Sequence, residues 1–237
     1  MRKYIGTKQI EAEPMTMGEA YERGLLQAGR VPDAEYAKRM GYHVKYAGGY
    51  ESWSPAEPFE EAYKLADTSL DRMQIEAEEV NGRYVKLAAF IDSGKMDEVV
   101  NDMYNKCLLE MQCCTMFDYI RLLDTRIQRM QGSDGAKVIK MNFGMAIMAL
   151  KAGFPIRRSG WNGKGLMVFK QVPAHIDSDI IPKMQSIPQS AKDLILKGKG
   201  FIDYTSQCLI YNENTGRADS WVPSISDVFA EDWEIVE

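Results

Sequence analysis

The stretch "QGSDGAK" (131–137) decides how this chain is read. Two glycines, a serine and an aspartate, with no apolar side chain larger than alanine, make it the clearest linker in the sequence, a flexible tether between independent parts. The apolar period changes across it. Upstream, Leu70, Met73, Ala77, Val80, Tyr84, Leu87 and Ile91 recur at spacings of three and four, which puts them on one helix face. "DSGK" (92–95) interrupts the pattern, and Val100, Met103, Cys107, Met111, Cys114, Phe117 and Ile120 resume it toward Leu123, Ile127 and Met130. Two long antiparallel helices are expected. A lone hairpin of that size has too little partner surface to bury both stripes, so self-association through these faces is expected too. Downstream of the linker, Asn142 is placed to cap a short helix carrying Phe143, Ala146, Ile147 and Leu150 at i, i+3, i+4 and i+7, closed by Gly153. Strands then dominate: "FPIRR", "GLMVFKQV", "SQCLIYNE", "GRADSWV" and "DWEIVE", with "NENTG" as a hairpin turn.

The first segment is punctuated by Pro14, Pro32, Pro55 and Pro58. "GYHVKYAGGYESWSP" (41–55) reads as two short strands joined at Gly48–Gly49, and "SPAEPFEEAYKLA" (54–66) as a helix with Ser54 at the N-cap and Pro55 at the first helical position. The fold class is therefore α+β. It combines a small β-rich module (1–65), a central helical hairpin (66–131) and a C-terminal small antiparallel sheet with one N-terminal helix (138–237).

Composition narrows the function classes. The 237 residues carry a net charge of −5 without a basic tail or run, which disfavours duplex nucleic acid as a partner. No stretch reaches the ~18 consecutive apolar residues of a membrane span, and "MRKYIGTKQI" lacks the apolar core of a signal peptide, so a cytoplasmic protein is expected. Cys107, Cys113, Cys114 and Cys208 have neither CxxC spacing nor histidine partners, and no metal or other cofactor is expected. His43 and His175 lie on different segments, no G-x-S-x-G is present, and "KGKG" (197–200) is not a P-loop, so no catalytic residue is nominated. Glu231 and Asp232 read as solubilising charges.

"GWNGKG" (160–165) sets Trp161, Asn162 and Lys164 among three glycines. The residues alone allow a turn open to a flat, anionic ligand, or a hairpin whose Trp161 packs back onto the core. The larger context resembles a known family. "MNFGMAIMALKAGFPIRRSGWNGKGLMVF" followed by "DSWVPSISDVFAEDWEIVE" is similar to the second family of phage Thoeris anti-defence proteins, over about residues 141–237. That resemblance implies a sponge that binds a cyclic ADP-ribose-type immune signal without cleaving it. It implies a ligand site drawn from Asn142, Phe143, Arg158, Trp161, Asn162, Gly163, Lys164, Trp221, Ser224 and Asp227. In it Trp161 would stack on the base, Lys164 and Arg158 would meet phosphates, and Asp227 and Asn162 would hold hydroxyls or a base edge. Trp233 is assigned to the core.

The helical segment, with "KLAAFI" (86–91) ending its first helix and "YIRLLDTRI" (119–127) in its second, resembles the second anti-CBASS family of phage proteins, which oligomerise and sequester cyclic di- and trinucleotides. That resemblance makes Lys86 and Arg126 the candidate phosphate contacts; the plainer reading of both is a solvated helix face. Residues 1–65 resemble a module of phage accessory proteins with no attached activity. The resemblances together imply a homo-oligomeric sponge of cyclic nucleotide second messengers in an infected bacterial host cell. The competing classes are an enzyme that degrades such signals, disfavoured by the missing nucleophile and metal set, and an adaptor that binds a host protein.

Overall fold

In a computed structural model that describes residues 9–236, the first strands form an antiparallel sheet of β1 (Ile10–Thr16), β2 (Met40–Tyr46) and β3 (Glu51–Pro55), in that order. The turn at Gly48–Gly49 joins β2 to β3 as expected. The opening "MRKYIGTK" of the module lies outside the described residues. Two elements were not foreseen: β1, and α1 (Met17–Glu22), whose Thr16–Glu19 capping box satisfies its first amides. The helix α2 (Ala56–Ala62) starts one residue later than expected. Pro55 is its N-cap, and the Ser54 hydroxyl donates to the Pro55 carbonyl instead of capping. Tyr42 of β2 stacks on Phe59 of α2 at 4.1 Å, which fixes that helix on the sheet.

The chain divides between Glu76 and Ala77, inside α3 (Ser69–Asp92). The predicted stripe of this helix is the face that turns inward: Leu70, Met73, Ala77, Val80, Tyr84, Leu87 and Ile91 are all buried or half-buried. A short α4 (Lys95–Val99) leads to α5 (Met103–Met130), capped by the Asp102 carboxylate on the Tyr104 amide. Tyr84 meets Phe117 at 5.5 Å and Asp92 faces Cys113, so α3 and α5 run antiparallel. The inward face of α5 agrees with expectation at Ile120, Leu123 and Ile127 and differs before them: there it is Leu109, Cys113 and Met116, while Met103, Cys107, Met111 and Cys114 are exposed and Phe117 meets Tyr84 from a half-open position. The two stripes lie about 100° apart, one residue step of the helix, and both obey its period. The period alone cannot say which one α3 covers.

"QGSDGAK" is not a free tether. The Ser133 amide donates to the Gln128 carbonyl at 3.0 Å, and the Arg129 guanidinium reaches the Ala136 carbonyl at 2.9 Å. Arg121 donates to the Ile139 carbonyl, and the Asn142 side-chain amide donates to Asp118 of α5. Positioned side chains on α5 thus hold the lead-in to the C-terminal domain.

That domain opens with α6 (Phe143–Lys151), whose first turn is capped by the Asn142 side chain on the Met145 amide. The five expected strands are present as β4 (Ile156–Arg158), β5 (Leu166–Lys170), β8 (Cys208–Asn212), β9 (Arg217–Trp221) and β10 (Trp233–Ile235), in the order β10-β4-β5-β8-β9, all antiparallel. Between β5 and β8 stands a unit the periodicity did not reveal: a ribbon of β6 (Ala174–Ile176) with β7 (Ile202–Tyr204), and α7 (Gln189–Lys197) between them. The buried Lys192 ammonium donates to the Pro182 carbonyl at 3.1 Å within this unit. A one-turn α8 (Ile225–Val228) precedes β10. The core between α6 and the sheet gathers Met141, Ala146, Leu150, Ile156, Val168 and Trp233. Trp233 is fully buried, as expected, with its indole N–H on the Asp227 carbonyl at 3.1 Å.

The ribbon carries a pH-sensitive pair. The His175 ring lies 2.6 Å from Asp203 across the ladder and 3.2 Å from Asp177, and the Asp203 hydrogen bond raises its pKa above the usual 6.5. A raised histidine pKa stabilises the fold fully below the unfolded value, and that contribution is lost as pH rises through the folded one. Asp203→Asn is expected to bring the His175 titration, followed by NMR, back toward 6.5. An unchanged midpoint would show that the carboxylate does not control the ring.

Candidate functional site

The turn between β4 and β5 is built by "GWNGKG", and two of its glycines are there for want of a side chain. A Cβ on Gly160 would stand 2.5 Å from an Asp232 carboxylate oxygen, which accepts the Gly160 amide at 2.8 Å. Gly165 has φ +77° and lies against Glu213 of the facing turn. Held this way, the turn points Trp161 inward. Its ring meets Trp233 edge-on at 5.4 Å, and its N–H donates to Asp227 at 3.1 Å. The bland alternative for Trp161, packing onto the core, describes its position.

Around Asp227 the chain forms a closed lock. The carboxylate, 7% exposed, accepts from the Ser224 amide (3.0 Å) and hydroxyl (2.7 Å), Arg158 (2.9 Å) and Trp161 (3.1 Å). Burial pushes this carboxyl up, but those four donors outweigh it and hold the pKa at about 2. Arg158 also donates to Asp232 at 2.7 Å, which lowers the Asp232 pKa. Asp232 is therefore no mere solubilising charge; its partner lies 74 positions upstream, out of reach of local sequence reading. Arg158, Trp161, Ser224 and Asp227, nominated as ligand contacts, are all engaged with one another.

Two other nominated residues come together elsewhere. Phe143 at the start of α6 and Trp221 at the end of β9 line an open cavity of about 420 Å³ with Ile147, Cys208, Pro223 and Val222. Lys170, Ser206 and Gln207 supply its polar groups, and none of these three was nominated from the sequence. Asn142 is occupied as the α6 cap. Asn162 and Lys164 are exposed, Gly163 is half-buried against Leu166, and the Lys164 carbonyl accepts from Asn214 at 2.6 Å.

On the helices, Lys86 and Arg126 are exposed and engage no described side chain. With Tyr84 opposite Phe117, Arg126 stands about eleven residues from the level of Lys86, roughly 16 Å along the axis. They do not converge within one chain. A second open depression, of about 660 Å³, lies at the α4–α5 corner among Val99, Asn101, Asn105, Leu108 and Gln112. Among the described residues no acidic, histidine and cysteine side chains gather as a metal site, and no helix is long and apolar enough to cross a membrane.

Residues 141–236 match the Thoeris anti-defense 2-like domain family, and residues 67–129 match the Sequestin family. Thoeris anti-defense 2 of Bacillus phage SP01 is 34% identical over 102 residues, covering 96% of that protein and 41% of this chain. The chain belongs to the Thoeris anti-defense 2-like family. It carries that domain at its C-terminal end with a Sequestin domain ahead of it, a fusion of two anti-defence families of the cyclic nucleotide sponge type. The lock around Asp227 and the cavity between Phe143 and Trp221 both fall inside the 141–236 match.

Proposed function

We propose that the chain sequesters two kinds of cyclic nucleotide signal without cleaving them: a cyclic ADP-ribose-type ligand through the C-terminal domain, and cyclic di- or trinucleotides through the helical segment. It does so as a homo-oligomer in the cytoplasm of an infected bacterial cell. The observation that carries the C-terminal assignment is the cavity itself. Two aromatic rings and a lysine share one opening there, and stacking of a base on an aromatic ring contributes about 1–3 kcal/mol. In this reading the Asp227 lock supports the site, while the exposed Asn162 and Lys164 lie before β5, at the opposite end of that strand from Lys170. The exposed stripe of α5 supports oligomerisation, and the separation of Lys86 from Arg126 supports a helical-segment site completed by a second copy.

Sequestration has a direct test. Cyclic ADP-ribose incubated with the full chain and released by boiling is expected to return with its mass unchanged; linear ADP-ribose in the released fraction would show an enzyme instead. A sponge must also outcompete the host receptor. Nanomolar affinity, about −12 kcal/mol, is the expected order, and a micromolar Kd would be too weak. One observation favours the adaptor reading: Val222, Ile225 and Phe229 form an apolar cluster around α8, each about 80% exposed. Failure to bind any cyclic nucleotide by calorimetry would favour it.

A further inference from the structure

The strand register puts three side chains in one row across the sheet. Lys170 pairs with Cys208, and Cys208 pairs with Trp221, so all three project from the same face. Two strand spacings separate the lysine from the tryptophan, roughly 10 Å between backbones. This is the face that carries the domain core. Val168, two residues before Lys170, is fully buried, and its own row continues into Ile156 and Ile210 of the core. Alternation would place another apolar residue at 170. A lysine stands there, at the last position of β5, where the core face opens into the cavity.

We infer that Lys170 is the anion contact of this cavity, receiving a phosphate of the ligand whose base lies against Trp221 and Phe143. The inference rests on the cyclic nucleotide reading of the C-terminal domain. Three observations support it. The Lys170 ammonium makes no hydrogen bond or ion pair with any described residue, whereas the buried Lys192 of the neighbouring unit is satisfied by Pro182. No aspartate or glutamate lines the cavity, so an incoming anion meets no like charge. Finally, Ser206 and Gln207 lie beside it on the strand lead-in, with Gln207 held by its side-chain amide on Gln171 at 2.7 Å, so hydroxyl-binding groups flank the cation. The plainer alternative is a lysine that leans along the apolar wall and keeps its charge in water.

Calorimetry on the full chain with cyclic ADP-ribose, at low and at moderate salt, separates the two. Lys170→Met keeps the aliphatic stem and removes the charge; it is expected to weaken binding about ten- to hundredfold and to reduce the salt dependence by about one ion. Lys170→Arg is expected to retain most of the affinity. Lys170→Gln provides a second neutral variant if methionine disturbs the sheet, with thermal melts confirming that each variant folds. Wild-type affinity and salt slope in a folded neutral variant would overturn the assignment of Lys170 and leave the domain's ligand reading standing. Absence of binding by the wild-type chain would overturn the reading, and Lys170 with it.

Discussion

Asp227→Ala is expected to destabilise the C-terminal domain by about 3–5 kcal/mol, the cost of breaking a buried charged network from one side. The carboxylate is 7% exposed and accepts four hydrogen bonds. Removing it strands the Trp161 indole N–H and the Ser224 amide in a poorly solvated place, and leaves Arg158 with only Asp232 and the Ser226 carbonyl. It also removes one half of the α8 capping box, on a helix whose Asp227 carbonyl holds Trp233. Asp227→Asn keeps the shape but loses the charge and should cost less. The pH dependence has a definite sign. The folded pKa, about 2, lies below the usual 3.8, so the stabilisation is present above 3.8 and is lost as pH falls through 2. That shift corresponds to about 2 kcal/mol. Thermal melts between pH 2 and pH 6 should therefore show the wild-type transition of this domain falling with acid and the Asp227→Ala transition falling less. A wild-type-like melt for Asp227→Ala would remove the lock from the account of this fold.

The two halves of this site were legible in the sequence to different degrees, for physical reasons. Asn142 as a cap, the helix after it, the five strands and Trp233 in the core all follow from local rules, capping chemistry and alternation. The inward turn of Trp161 does not, because it depends on Asp232 and Asp227, which reach it from the far end of the chain. The same is true of Lys170. By sequence it is one lysine at the end of an apolar run; only the pairing of β5 with β8 and of β8 with β9 sets it in one row with Trp221, across Cys208. The unit from β6 to β7 escaped because its strands are three residues each, too short for a period. In α5 the difficulty is the reverse: two adjacent stripes both fit a helix, and what chooses between them is the partner helix.

The stripe of α5 that α3 leaves uncovered is the basis of the last prediction. Met103 and Met111 are 75% and 60% exposed, and Cys107 and Cys114 extend the row with free, exposed thiols toward Phe117, which already meets Tyr84 of α3. Met103, Cys107, Met111 and Cys114 form an apolar ridge along the first half of a 28-residue helix. Water is a poor neighbour for it, and burying each large side chain against a second copy contributes about 1.5–3 kcal/mol. Light scattering on the wild-type chain is therefore expected to give a multiple of 26.9 kDa. Met111→Glu puts a charge in the middle of the ridge, where it loses the buried methionine and must also be desolvated. In a symmetric contact it does so twice, so dissociation to monomer at micromolar concentration is expected. The consequence for ligand binding follows from the helix geometry. Lys86 and Arg126 stand roughly 16 Å apart along the axis of one hairpin, so in the proposed reading a helical-segment site that uses both is completed by a second copy. Met111→Glu should then abolish cyclic di- and trinucleotide binding while cyclic ADP-ribose binding through Trp221 persists. A monomeric Met111→Glu chain that still bound cyclic dinucleotides at wild-type affinity would place that site within a single hairpin, and the open corner beside Asn101, Asn105 and Gln112 would be the place to look.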